Sequence, residues 1–298
     1  MLEPLERSSP QNADRHRLAW AAWPADLYSP VRLFLALRAS GHAPCLLESA
    51  EGPARLARYS FLPVDPDARL TGQADGGELE TDAGVEKLPG PSHLALRAAA
   101  KRFALPPTPR GLPPFCGGWV GWIGYEWARS LEPRVPAPRH DPWQTPEAAF
   151  HLYRTVVAFD HAAQKVLVIT ACPDGASGHA AAMQKIEALA ADLETEPGAP
   201  GELRLLDAEP LPCMERAAFE AGVETLQEAI RAGEIFQGVL SQRFEQRFEG
   251  DPFTLYRVLR LTNPSPHMFF FEGGGVTLVG SSPERLVSVQ DGRCQGRP

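Results

Sequence analysis

Long apolar runs are missing: nowhere in the 298 residues do about 18 apolar side chains follow one another, so no segment reads as a membrane-spanning helix. The opening MLEPLERSSPQNADRH is polar and carries proline where a secretory signal needs an apolar stretch, which leads to the expectation of a soluble, cytoplasmic protein. An excess of positive charge is missing too. With 29 Lys and Arg against 37 Asp and Glu the formal charge is -8, a balance that repels phosphate backbones and anionic lipid heads and argues against nucleic acid or a membrane as partner. Close cysteine pairs are absent. Cys45, Cys116, Cys172, Cys213 and Cys294 stand at wide intervals, without zinc or redox CxxC spacing, and read as reduced, partly buried small side chains. The eight histidines form no HExxH-like pair, so no all-protein metal site is expected. There is no internal repeat or heptad array either.

What is present is an apolar pattern that switches repeatedly between period two and period 3.6, which points to an α+β chain. PVRLFLALRAS reads as a short helix ended near Gly41, and PCLLES and RYSFLP read as strands joined by EGPARLA. HLALRAAAKRFAL and ASGHAAAMQKIEALAADLE read as helices. Between them, Tyr153–Phe159 and Lys165–Thr170 flank DHAAQ as an antiparallel hairpin. Proline, glycine and acid replace any period at TEPGAPGE, residues 195–202, the best internal boundary. Beyond it, Phe219, Val223, Leu226 and Ile230 share one helical face, expected to be buried, and Gly233 stands at the C-terminal cap. EIFQGVLSQRF then alternates as a strand would, and Asp251 caps a helix with Pro252 in its first position. From His267 onward HMFFFE, VTLVG, RLVSV and a strand near Arg293 read as a meander with turns at GGG, SSPE and DG. That last strand stops at GRP, with a sheet edge still unpaired, so a longer protein is expected.

Two motifs invite chemistry and receive a structural reading. GGWVGWIGYE has glycines at 117, 118, 121 and 124, the wrong spacing for a GxGxxG phosphate loop; they are expected to allow close strand packing beside Trp119, Trp122 and Tyr125. Glu284, in the SSPE turn beside proline, is left without a role.

Five segments, in order and spacing, resemble the chorismate-binding enzymes of the anthranilate synthase and aminodeoxychorismate synthase group. They are LLES (46–49) with RYSF (58–61), GGWVGWIGYE (117–126), IRAGEIFQGVLSQRF (230–244), NPSPHMFF (263–270) and GSSPERLV (280–287). The resemblance implies a large antiparallel β-sheet sandwich with flanking helices, incomplete at the C-terminus. Residues 1–200 would form an N-terminal regulatory lobe, and 201–298 the first part of a chorismate-binding catalytic domain. It implies a lyase of tryptophan biosynthesis, anthranilate synthase component I, in which ammonia from a glutamine amidotransferase subunit adds to chorismate and pyruvate is eliminated with the help of Mg²⁺. A hard dication suits an oxyanion leaving group. The family's metal ligands and catalytic groups would lie beyond Pro298, so no catalytic, substrate-binding or metal residue is assigned, and the chain alone is expected to be inactive. Component I of aminodeoxychorismate synthase, in folate biosynthesis, is the alternative. A non-catalytic tryptophan-binding module that docks an amidotransferase is a further one.

For the regulatory part the resemblance implies feedback inhibition by L-tryptophan held between two segments: Glu48 and Ser49 on one side, and Asn263, Pro266, His267 and Met268 on the other. The residue types suit an amino-acid ligand. A carboxylate meets an ammonium, an amide or hydroxyl meets a carboxylate, and a polarizable apolar wall meets indole. His267 stands where the family usually has tyrosine, a smaller ring that covers less of the ligand.

Overall fold

The computed structural model describes residues 4–8, 18–50, 57–73, 75–132, 134–136, 143–172, 176–290 and 292–296. In chain order the elements of the first stretch are β1 (Glu6–Arg7), β2 (Leu18–Pro24), α1 (Pro30–Ala39), β3 (Leu46–Glu48), β4 (Tyr59–Pro63), β5 (Ala68–Gly72), β6 (Gly76–Thr81), β7 (Gly84–Pro89), α2 (Ser92–Arg102), β8 (Gly118–Ile123), α3 (Ala128–Leu131), β9 (Ala148–Tyr153), β10 (Thr155–Asp160), β11 (Lys165–Ala171) and α4 (Ala176–Leu193). Then follow β12 (Leu203–Leu205), β13 (Leu211–Pro212), α5 (Arg216–Arg231), β14 (Phe244–Glu245), β15 (Phe248–Gly250), α6 (Pro252–Thr262), β16 (His267–Gly273), β17 (Val276–Ser282), β18 (Val287–Gln290) and β19 (Arg293–Gly296). By internal contacts these form two compact units, Met1–Ala199 with Leu255–Pro298, and Pro200–Thr254. The break at residue 199 falls inside TEPGAPGE, while residues 255–298 group with the N-terminal part.

The first unit is the α+β structure expected, built on a large antiparallel sheet. Eight strands run in the order β1-β2-β11-β10-β4-β3-β16-β17, and five more in the order β7-β6-β5-β9-β8. The chain steps from the smaller sheet to the larger at Arg154, between β9 and β10. Central β10, TVVAFD, is buried along its whole length, which is why it reads as a continuous apolar run rather than an alternating one. It forms the expected antiparallel hairpin with β11, but Asp160, expected in the connection, extends β10 by one residue and lies opposite Lys165. Asp160 also ties the turn, accepting from the Ala162 and Ala163 amides at 3.0 Å each.

Local chemistry accounts for the helices. The Ser29 hydroxyl accepts from the Arg32 amide at 3.2 Å, Pro30 occupies the first turn, and Gly41 leaves the helix at φ +87°, so α1 starts and stops where capping rules place it. It buries Leu33, Phe34, Ala36 and Leu37, and Phe34 meets Phe270 of β16 edge-to-face at 5.3 Å between centroids. Helix α2 lays Ala95 and Ala99 on Leu70, Leu79 and Leu152 of the smaller sheet. In GGWVGWIGYE the close packing is real at Gly121: a Cβ there would come within 2.0 Å of the Ala149 carbonyl oxygen. Trp119 and Trp122 pack inward, but Tyr125 turns out to solvent at 92% exposure, because the chain has by then left β8 for a 3₁₀ turn.

The second unit, residues 200–254, holds two short ladders, β12 with β15 and β13 with β14, and the helix α5. Gly233 follows α5 at φ +78°, as a C-terminal cap should, and the Asp251 carboxylate accepts from the Phe253 amide at 3.0 Å at the start of α6. Two expectations fail here. EIFQGVLSQRF is irregular apart from Phe244, with Phe236 and Val239 exposed, since alternation cannot make a strand without a neighbour to pair with. No residue of α5 is buried, and its Phe219, Val223 and Leu226 face is only half-covered. A third correction concerns the meander: β16 and β17 join the large sheet, whereas β18 and β19, among the described residues, pair only with each other. EGPARLA lies mostly outside the described residues, which omit 51–56.

Candidate functional site

Strands β3 and β16 are separated by more than 200 residues of sequence and are hydrogen-bonded neighbours, with Met268 opposite Glu48, Phe269 opposite Leu47 and Phe270 opposite Leu46. The pairing continues past Glu48, where the Ala50 amide donates to the Ser265 carbonyl at 3.0 Å. LLES and NPSPHMFF are thus brought side by side. Because side chains alternate along a strand, Glu48 and Met268 share one face and His267 projects to the other, while Ser49 lies just past the end of β3. Glu48 and Met268 are buried, Ser49, Pro266 and His267 are half-buried, and Asn263 is exposed just beyond α6. Asn263 serves the loop through its backbone: its carbonyl accepts from the Ser281 hydroxyl at 2.6 Å. The Ser49 hydroxyl is enclosed and has no hydrogen-bond partner among the described residues, an uncommon state for a buried polar group.

Glu48 is the centre of a polar cluster that the sequence reading missed. Its side chain is 1% exposed. Arg260 of α6 grips it side-on, Nε to Oε2 at 2.9 Å and Nη2 to Oε1 at 3.2 Å. The Tyr256 hydroxyl, one helical turn earlier, donates to Oε2 at 2.5 Å, and the Ser60 hydroxyl of β4 donates to Oε1 at 3.2 Å. Each carboxylate oxygen therefore accepts two donors, which is the full capacity of the group. Ser60 is held in turn by Nε2 of His161 at 2.8 Å; with its own proton given to Glu48, it accepts from the imidazole. Tyr256 also meets Phe270 edge-to-face at 6.2 Å, so polar cluster and apolar core share a wall.

The electrostatics follow from burial and pairing. Burial, reinforced by the negative charge and hydrogen bond of Glu48, raises the Tyr256 phenol far above its ordinary value, so it stays a donor at any physiological pH. Burial works against the charge on Arg260, but the Glu48 bond and field outweigh it and the guanidinium is held more firmly protonated. Burial lowers His161, with Glu48 opposing and Arg260 adding to the effect, and leaves a neutral ring near pH 7. The signal that could have found Tyr256 and Arg260 is their i, i+4 spacing, which puts a phenol and a guanidinium together on one face of the helix leading into NPSP.

The arrangement can fix a carboxylate at a strand end and offer a free hydroxyl beside it. Among the described residues no group of three or more His, Cys, Asp or Glu side chains converges. Among the described residues no helix is long and apolar enough to cross a membrane.

Residues 44–298 match the family of chorismate binding enzymes, and the chain belongs to that family. It is 34% identical to an anthranilate synthase component 1 of Cereibacter sphaeroides, over 96% of this chain and 59% of that protein. With an anthranilate synthase component 1 of Aquifex aeolicus it shares 32% identity over 92% of this chain and 56% of the relative. The crystal structure of anthranilate synthase component I from Streptococcus pneumoniae TIGR4 superposes with a TM-score of 0.58 at 28% identity, covering 82% of this chain and 54% of that one. The chain spans a little over half the length of the relatives it matches.

Proposed function

We propose that this chain is the effector-binding part of an anthranilate synthase component 1, and that it takes L-tryptophan rather than carrying out the turnover of chorismate. The observation that supports the reading is the pairing of β3 with β16, which joins the two segments the resemblance assigns to one amino-acid site. The unpartnered Ser49 hydroxyl, just past the end of β3, is suited to a ligand carboxylate and Pro266 with His267 to an indole ring, while Glu48, on the opposite face with Met268, is suited to an ammonium reached around the strand end. In the whole enzyme, ammonia from a glutamine amidotransferase partner and Mg²⁺ would serve the conversion of chorismate to anthranilate and pyruvate. None of those steps is assigned to a residue of this chain.

Two measurements test the reading. Calorimetric titration of the 298-residue chain with L-tryptophan is expected to give saturable binding of one equivalent, weakened by S49A; the absence of heat at any attainable concentration overturns the effector site. Incubation with chorismate, ammonia and Mg²⁺ is expected to give no anthranilate fluorescence, and product above background overturns the assignment of chemistry elsewhere.

A further inference from the structure

Glu48 is the one carboxylate among the proposed site residues and so the partner an ammonium would seek there, but it has no acceptor capacity left. Arg260 takes one direction on each oxygen, Ser60 takes the second on Oε1, and Tyr256 takes the second on Oε2. A further donor can enter only by exchange. The four existing contacts differ in what their loss leaves behind. Removing Arg260 would strand a carboxylate that is 1% exposed without its counter-charge, the most costly outcome. Ser60 is held from its other side by His161 and sits on β4, which is paired with both β3 and β10. The Tyr256 hydroxyl is neutral and bonds the oxygen that Arg260 reaches through Nε.

We propose that an amino-acid effector's ammonium exchanges with the Tyr256 hydroxyl on Glu48, so that Tyr256 is a competing, positioning residue and α6 is the element that senses occupancy of the site. The proposal rests on the reading of the β3–β16 end as an effector site. Its physical content is a thermodynamic cycle: a ligand that carries an ammonium must displace the phenol, and one that lacks it need not. Helix α6 carries both Tyr256 and Arg260 and ends at Thr262, followed directly by Asn263, whose carbonyl accepts from the Ser281 hydroxyl of β17. Displacement of the phenol therefore acts on the same helix that positions the NPSP side of the site. Because the buried phenol stays protonated, the competition is between two donors and does not depend on Tyr256 titration.

The test compares L-tryptophan with indole-3-propionate, the same molecule without its amine, by calorimetry on the full chain. In Y256F the aromatic volume is kept while one acceptor direction of a buried carboxylate is left empty, so L-tryptophan is expected to bind about tenfold tighter, the size of one hydrogen bond to a charged group. Indole-3-propionate is expected to change by less than about twofold, because it makes no such bond. E48Q, which removes the charge and keeps the shape, is expected to weaken L-tryptophan and bring the two ligands level; it keeps the question open to experiment should Y256F fold poorly. If L-tryptophan binds the wild type but Y256F shifts both ligands alike, or neither, the exchange is overturned and the effector site stands. If neither ligand binds the wild type, both fall together.

Discussion

Replacing Arg260 by methionine should destabilise the first unit strongly, and the geometry says by how much. The substitution removes two of the four donors on Glu48 and its counter-charge from a carboxylate that is 1% exposed in the native chain. Breaking a buried pair from one side costs about 3–5 kcal/mol. Tyr256 and Ser60 remain as donors, which places the expected loss near the lower end, about 3 kcal/mol, or roughly two orders of magnitude in the folded-to-unfolded ratio. E48L leaves Arg260 a way to water, because that side chain is 32% exposed, and should cost about 1–3 kcal/mol, mainly through the acceptor lost to Tyr256. The double variant E48L/R260M should then be less destabilised than the sum of the two by at least about 1.5 kcal/mol, the signature of directly coupled groups. Urea unfolding followed by tryptophan fluorescence reads all four proteins. Additivity within about 0.5 kcal/mol would refute the coupling, and with it the view of Glu48 as a charge held in place by α6.

Three further expectations follow from other parts of the fold. His42 bridges Asp65 at 2.6 Å and Asp192 at 3.0 Å; burial lowers its pKa, but the two carboxylates raise it more, to a net value above the ordinary 6.5. A raised folded-state pKa gives stability that is fully present below pH 6.5 and fades as pH climbs through the higher folded value. H42N should therefore flatten the stability loss of the wild type over that rise, and equal pH slopes for the two proteins would be the contrary result. At Gly121 a methyl group would meet backbone, so G121A should push β8 from β9 and lose about 3 kcal/mol or more in urea unfolding, whereas G198A, with open space around it, should match the wild type; equal midpoints would deny the close approach. Exposed Cys213 and Cys294 should react with a thiol reagent in the native protein. Cys116, pushed up to about 11 by burial, and fully buried Cys45 should react only on unfolding, and prompt native labelling of Cys45 would contradict its place in the core.

Much of the first unit was legible because its signals are local. Ser29-Pro30 at one end and Gly41 at the other bound α1 by capping chemistry, and DHAAQ closes its hairpin through the side chain of its own first residue. The failures are non-local. EIFQGVLSQRF has the alternation of a strand and only Phe244 of it lies in one, since a strand is a pairing and the pattern names no partner. RLVSV and the strand after it were legible as a hairpin, but not that they would stand apart from the eight-stranded sheet.

At the site, the sequence alone determined which residue types are present in LLES and NPSPHMFF, their order, and the family to which they point. Tertiary structure decided that β3 and β16 are neighbours, that Met268 lies opposite Glu48 there, and that a carboxylate which looks available at a strand end is already held by Tyr256 and Arg260, 208 and 212 residues away. The physical reason is that an acceptor's availability depends on which donors the packed chain brings to it, and only the folded backbone sets those distances.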